Sequence, residues 1–139
     1  MTDTPPLPAS FDAVIAAYPR EVRERLLELR DLVWDVAEGN PSIGPVVETL
    51  KWGQPSFLTQ SPRTGTTVRI DRIGAGHDVA VFTHCQTTLV DEFRAKHGKQ
   101  FDCDGTRGVI VPANGSPLEP AREHALRDHI EAALTYHLR

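Results

Sequence analysis

The sequence predicts an α+β fold, in which a mostly antiparallel sheet carries N-terminal helices, one inserted helix and a C-terminal helix packed on one face. Amphipathic helical spacing occupies the beginning and the end of the chain, and short runs rich in Val, Ile, Thr and Phe fill residues 46–111. The connections between these runs are too short for the crossover that parallel strands need. The chain has 139 residues, the usual size of one domain.

Capping residues and one long apolar stripe predict the first two helices. Ser10 is a suitable N-cap for a short helix over residues 11–17, and Pro19 suits the first position of a longer helix. Gly39 is a typical residue to end that second helix. Its apolar residues recur every three or four positions: Val22, Leu26, Leu29, Val33 and Val36. We expect the proline-rich residues 1–9 to form a disordered tail and residues 10–139 to form a single domain.

The middle of the chain is predicted to form the sheet. Gly53 and Pro55 interrupt a strand-like run and predict a sharp bend or bulge between two short strands. Asp104-Gly105 is typical of a hairpin turn. The expected strands cover residues 47–52, 54–58, 67–73, 79–84, 101–104 and 106–111, with a helix over 88–96 and a last helix that begins between 117 and 120.

Composition excludes several classes of partner. The chain has 15 Lys and Arg against 19 Asp and Glu, a formal charge of −4, which gives no electrostatic reason to expect nucleic acid or an anionic membrane. No apolar run approaches the roughly 20 residues of a membrane span. The start of the chain has no basic and apolar leader, so we expect a cytoplasmic protein. Cys85 and Cys103 are then expected to remain reduced thiols.

Residues 48–57 are the most unusual segment, because they mix charged and amide groups with two large aromatic side chains. Ligand sites are mostly apolar with a few convergent polar groups. We therefore predict that Glu48, Trp52, Phe57 and His84 line one pocket for a small polar ligand or a metal. The alternative is a packed corner of the fold, in which both aromatic residues contact the second helix and belong to the core.

The direction of Glu48 follows from strand geometry. Glu48 and Lys51 are three residues apart, so their side chains fall on opposite faces of a regular strand. We expect Glu48 to point toward the helices. A buried carboxylate needs a partner, and Arg69 or His84 on neighbouring strands is the expected one.

Two other classes of function remain open. Cys85 could serve a thiol-dependent enzyme if it lay at the start of the following helix, although His84 points to the other face of a regular strand. The chain could also be an interaction module or a homodimer that uses a sheet edge or a helix face. A zinc site at His84, Cys85 and Cys103 lacks the close paired spacing of structural zinc ligands.

Four features of the sequence form a pattern: Leu-Arg-Asp-Leu at 29–32, Glu-x-x-Lys-Trp-Gly-x-Pro-x-Phe at 48–57, the strand-to-helix segment 81–89 and Tyr136 in the last helix. In these features the chain resembles the YdhG-like family of small bacterial domains of unknown function. The resemblance implies an α+β fold and no catalytic residues. Some members are described as frataxin-like iron chaperones, which implies iron as a possible cargo without assigning a ligand to any position. The expectation is a non-enzymatic binding protein for a small ligand or metal, monomeric or homodimeric, with no cofactor identified.

Overall fold

A six-stranded antiparallel sheet and four α-helices make up the computed structural model, which describes residues 4–139. The predicted α+β fold is confirmed. The helices are α1 (Ala9–Ile15), α2 (Arg20–Gly39), α3 (Leu89–His97) and α4 (Pro120–Leu134), followed by a 3₁₀ turn at Tyr136–Leu138. The strands are β1 (Val46–Lys51), β2 (Gln54–Thr59), β3 (Val68–Ile73), β4 (Asp78–Phe82), β5 (Cys103–Asp104) and β6 (Gly108–Pro112).

The strand order is β1-β2-β3-β4-β6-β5, and every neighbouring pair is antiparallel. Side chains of successive residues point to opposite faces, so the register divides the sheet into two faces. Glu48, Phe57 and Val68 lie side by side on the helix-covered face. The next row lies on the helix-free face and crosses all six strands: Thr49, Ser56, Arg69, Phe82, Gly108 and Asp104.

The hydrophobic core fills the space between the helices and the helix-covered face. The stripe of α2 is buried as its spacing predicts, with Leu29 and Val33 at 0 % exposure. The ring of Phe11 in α1 meets that of Phe57 edge-on, with centroids 5.8 Å apart. The alternate residues of the central strands complete this core: Val68, Ile70, Val79, Val81, Val109 and Val111. The helices therefore cover the more apolar face of the sheet.

The N-terminal segment differs from its prediction. Helix α1 begins at Ala9 after Pro8, and its first turn has no side-chain cap, so the N-cap predicted at Ser10 is wrong. Arg30 Nη2 donates hydrogen bonds to the carbonyl oxygens of Pro5 and Pro6, at 2.8 and 3.2 Å. Leu7 packs against the core. The later part of the predicted disordered tail is thus structured, while residues 1–3 lie outside the described residues.

A tight hairpin replaces the bend predicted at Gly53 and Pro55. Lys51 pairs with Gln54, and the two residues between them have positive φ, 56° at Trp52 and 73° at Gly53. A two-residue turn of this kind suits the twist of the flanking strands, and the register of β1 and β2 continues without a bulge. The turn projects Trp52 into solvent, with 90 % of its surface exposed. The predicted packing of Trp52 against the second helix is wrong.

The loop between β2 and β3 holds the end of α4. Thr64 Oγ1 donates a hydrogen bond to the Leu134 carbonyl at 3.0 Å, and the Thr66 amide donates to the Ala133 carbonyl at 2.9 Å. A Cβ on Gly65 would lie only 2.4 Å from the Ala133 carbonyl oxygen, so this contact requires glycine. We call residues 64–66 the α4 clamp, because they satisfy carbonyl groups that a helix end leaves without partners.

Candidate functional site

Glu48 points toward the helices as predicted, but its partner is a residue of α2. Its Oε2 accepts a hydrogen bond from Arg30 Nε at 2.6 Å, and its Oε1 accepts one from Arg30 Nη2 at 2.9 Å. The two side chains are only 8 % and 6 % exposed. The predicted partners Arg69 and His84 are wrong, because the Arg30 side chain reaches from α2 to both carboxylate oxygens. The carboxylate of Glu48 is fully engaged in a structural ion pair.

The structure does not bring the four predicted pocket residues together. Phe57 is completely buried beneath Phe11, whereas Trp52 stands in solvent at the hairpin tip. His84 is exposed in the loop after β4, where its Nδ1 accepts the Gln86 amide hydrogen at 3.1 Å. The packed-corner alternative describes Glu48 and Phe57 well. It is wrong for Trp52, because the positive φ at residues 52 and 53 turns that side chain away from the core.

A different group of polar side chains occupies the centre of the helix-free face. Phe82 belongs to the row that crosses all six strands, and it is only 3 % exposed although no helix covers it. The guanidinium carbon of Arg69 lies 5.7 Å from the centroid of its ring, and that of Arg107 lies 5.1 Å from it. Guanidinium groups are attracted to the face of an aromatic ring. We call Arg69, Phe82 and Arg107 the arginine cluster.

Gly108 makes room for this arrangement. It lies directly across the ladder from Phe82, and a Cβ there would come within 3.1 Å of Phe82 Cδ1. Since such contacts are tighter than ordinary packing allows, the absence of a side chain lets the Phe82 ring lie against β6. Arg107 immediately precedes this glycine, so its side chain reaches the ring from the end of the strand.

Most N–H donors of the two guanidinium groups in the arginine cluster have no acceptor within residues 4–139. Arg69 Nη1 donates to Gln54 Oε1 at 2.9 Å, and Arg107 Nε donates to Asp104 Oδ2 at 2.9 Å. A guanidinium has five N–H donors, and within residues 4–139 neither of these two guanidinium groups makes another hydrogen bond. Arg69 has no carboxylate partner in this part of the chain. The site can therefore accept further acceptor groups without breaking the fold.

Electrostatics distinguish Arg69 from the other arginines. Burial lowers the pKa of Arg69, the nearby Arg107 guanidinium lowers it further, and Cys85 acts in the opposite direction. The loop that carries Cys85 is attached to the site through Thr106, whose Oγ1 donates to the Cys85 carbonyl at 3.2 Å. Positive charge is thus concentrated at a partly buried place, where an anion would relieve the repulsion.

A second polar group lies where α3, α4 and α2 meet. His97 Nε2 and Asp128 Oδ2 are 2.8 Å apart, and the His124 ring lies edge-on to that of His97 at 6.0 Å. Arg127 pairs with Asp35 across the groove between α2 and α4. Asp35, Arg127, Asp128 and His97 therefore have partners within the fold, which is the usual arrangement at a helix–helix contact.

Metal ligation finds no ready donor set. In the part of the chain that the structure describes, no group of three or more His, Cys, Asp and Glu side chains is placed to hold a metal ion. Cys85 is exposed and Cys103 is half-buried, and both are free thiols.

Sequence reasoning missed the arginine cluster for a physical reason. Residues 67–73 and 79–84 were each predicted to form a strand, and Arg69 was considered only as a partner for Glu48. The position of Arg69 beside Phe82 and Gly108 becomes apparent only when the strands are aligned in register. Pairing of separate strands is a tertiary property, so the spacing of residues along one strand does not give it.

Comparison of the chain with protein-family models, with curated proteins and with solved structures finds no match.

Proposed function

We propose that this chain is a non-enzymatic binding protein of the YdhG-like kind and that its ligand is a small molecule held on the helix-free face of the sheet. The family assignment is supported by the sequence resemblance of residues 29–32 and 48–57. One charged residue from each segment, Arg30 and Glu48, contributes to the buried ion pair. The motif therefore specifies how α2 docks on β1, and the ligand site is to be sought elsewhere.

The observation that carries the proposal is the arginine cluster. Two guanidinium groups and an aromatic ring meet on a face that no helix covers, and most of their donors are unused within residues 4–139. Ligand sites combine an apolar surface with a few convergent polar groups. Folding alone does not require a second arginine near Arg69, because the two like charges repel each other.

The cytoplasm is the proposed location. The free thiols of Cys85 and Cys103 fit a reducing compartment. None of the helices described over residues 4–139 has both the length and the apolar character needed to cross a bilayer.

The other functions expected from the sequence receive less support. Iron as cargo would need a set of oxygen or nitrogen donors, and the described residues offer no group of three or more. A thiol-dependent enzyme remains the second candidate, since Cys85 is exposed and lies close enough to Arg69 to affect its charge. His84 does not assist it as a base in this arrangement, because His84 Nδ1 accepts the hydrogen of a loop amide.

A ligand screen tests the proposal. Two-dimensional ¹H–¹⁵N NMR spectra recorded with a library of small metabolite-like compounds should show binding that perturbs the amides of Phe82, Cys85 and Gly108. The variant Phe82→Leu should weaken this binding, whereas Phe93→Leu, which changes an aromatic residue of the helix layer, should not. Perturbations confined to the α2–α4 groove, or no binding by any compound, would overturn the proposal.

A thiol enzyme gives a different outcome. Alkylation of Cys85 by iodoacetamide near neutral pH would then be fast and would abolish a measurable turnover. Slow alkylation with ligand binding intact supports the non-enzymatic function.

A further inference from the structure

The positive charge on the helix-free face exceeds what the fold uses there. Elsewhere in the described chain, the buried arginines have a carboxylate partner and several acceptors: Arg25, for example, donates to Glu28, to Asn114 and to the carbonyls of Pro112 and Ser116. Arg69 is half-buried as well, yet its single side-chain hydrogen bond within residues 4–139 goes to a neutral amide oxygen. A partly buried cation without a counter-charge is costly. The natural compensation is an anion that is not part of the chain.

Arg107 is placed to share that anion. Its side chain is 55 % exposed, and only its Nε is engaged, by Asp104, which leaves its two terminal amino groups directed at no acceptor within residues 4–139. Both guanidinium carbons lie within 6 Å of the same ring centroid. A ligand atom over the edge of Phe82 is therefore within reach of both side chains.

The chemistry of guanidinium groups indicates which anion fits. Their planar forks match the oxygen atoms of phosphate and carboxylate groups, and such charge-assisted bonds are roughly twice as strong as neutral ones. Two guanidinium groups have more N–H donors than the two oxygens of one carboxylate can accept, whereas a phosphate group presents three acceptor oxygens. The loops that carry Cys85 and Thr106 border the same place, and the hydrogen bond from Thr106 Oγ1 to the Cys85 carbonyl joins them.

We propose that Arg69 and Arg107 together bind the phosphate group of a small molecule on the helix-free face, with Phe82 as the floor of the site. This inference rests on the proposed function, since it names the chemical class of the ligand for the same surface. Asp104 orients Arg107 through Nε, and Gln54 orients Arg69 through Nη1, so each arginine is positioned before the phosphate arrives.

The test uses inorganic pyrophosphate as the probe, titrated into the full chain at constant ionic strength and followed by ¹H–¹⁵N NMR. Saturable shifts should appear at Phe82, Cys85 and residues 106–108. Arg69→Gln and Arg107→Gln should each weaken binding by about tenfold or more, which corresponds to the loss of one charged hydrogen-bond pair.

The matched control is Arg72→Gln. Arg72 lies on the same strand as Arg69, but its guanidinium donates to the carbonyls of Ala75 and Gly76 in its own turn. The Arg72→Gln substitution removes one positive charge, as the other two substitutions do. If the site is local, the affinity for pyrophosphate should stay within about twofold of that of the unsubstituted chain. The amide spectra of all three variants also show whether each one folds.

The outcomes separate this inference from the proposed function. Equal weakening in the Arg69, Arg107 and Arg72 variants would mean unspecific attraction and would overturn the phosphate site. Uncharged compounds that bind at Phe82 with full affinity in Arg69→Gln would overturn the phosphate site and leave the binding function standing. If no compound of either charge perturbs this face, both proposals fail.

Discussion

The two faces of the sheet differ in whether their arginine has a carboxylate partner among the described residues. On the helix-covered face, Arg30 is 6 % exposed and is held by both carboxylate oxygens of Glu48 and by two backbone carbonyls. On the helix-free face, Arg69 is half-buried, shares its aromatic neighbour with Arg107 and has no carboxylate partner among the described residues. The row that contains Glu48 and the row that contains Arg69 are adjacent in the register, and their side chains point to opposite faces of the sheet.

This contrast indicates which charges serve the fold and which are available for binding. A buried ion pair gains little over an apolar contact, but the loss of one partner leaves an uncompensated charge in the interior. Arg30 and Glu48 therefore fix the position of α2 on β1. Arg69 fixes no other element through a charge, so its conformation can be used to hold a ligand.

The largest expected effect comes from breaking the buried pair. Arg30→Gln should lower the free energy of unfolding by about 3–5 kcal/mol, because the carboxylate of Glu48 loses its partner. Arg69→Gln is the matched control on the other face and should change it by less than about 1 kcal/mol, since a cation–π contact is the main loss. Urea unfolding followed by circular dichroism measures both.

A double variant sharpens this result. Arg30→Met combined with Glu48→Leu removes both charges and should recover most of the stability lost in Arg30→Gln. Equal losses in Arg30→Gln and Arg69→Gln would contradict the division between the two faces.

Lowering the pH should reduce the stability of the protein by an intermediate amount, through a buried histidine between the helices. His129 packs on Phe93 between α3 and α4, its Nε2 has no partner within residues 4–139, and burial lowers its pKa from 6.5 to about 4. The unfolded chain takes up this proton at higher pH than the folded chain does. Stability is therefore fully present above pH 6.5 and is lost as the pH falls toward 4, by about 2 kcal/mol between pH 7 and pH 5.

The variant His129→Leu isolates this effect, since it should flatten the dependence of stability on pH between 7 and 5. His124→Leu, an exposed histidine of the same helix, is the control and should leave the dependence unchanged. The comparison stays above the range in which Glu92 titrates, because the hydrogen bond from Arg139 lowers the pKa of Glu92 to about 2. An unaltered slope in His129→Leu would count against the buried histidine as the cause.

The smallest expected effect is at the hairpin tip. Trp52→Asn should stabilise the protein by up to about 1 kcal/mol, because Asn-Gly is preferred where both φ angles are positive and an exposed Trp side chain contributes little. Scanning calorimetry measures the shift in Tm. Trp52→Val should lower it, since a β-branched residue is strained at positive φ; a loss of stability in Trp52→Asn would instead show that the indole makes a contact that matters.

Much of the fold could be predicted because it follows from local patterns. The stripe from Val22 to Val36 gave α2 together with its end at Gly39, and the short connections gave an antiparallel sheet. The hairpin around Trp52 was less accessible, because an indole is an unusual residue in a turn that favours Asn and Gly. Aromatic character predicted burial there, and the backbone geometry overrode it.

The candidate site was the least predictable part. The sequence analysis placed Glu48 on the correct face but predicted a partner within the sheet. The true partner is Arg30 of α2, and the spacing of residues within α2 or β1 does not show how these two elements are placed relative to each other. Arg69 was predicted only as a partner for Glu48, and nothing along the chain showed that Phe82 and Arg107 would meet it on the helix-free face. Contacts between strands and helices distant in sequence decide both cases.

The α4 clamp also determines where this protein can be engineered. A polar loop between two strands is ordinarily a good place to insert a peptide tag or a fluorescent reporter. Here an insertion near Gly65 would push the end of α4 away from the sheet, because the loop backbone rests directly on Ala133 and Leu134. The turn between β3 and β4 is the better choice, since a Cβ added at Gly76 would meet no atom within 4 Å beyond its chain neighbours. A label there leaves both faces of the sheet unobstructed.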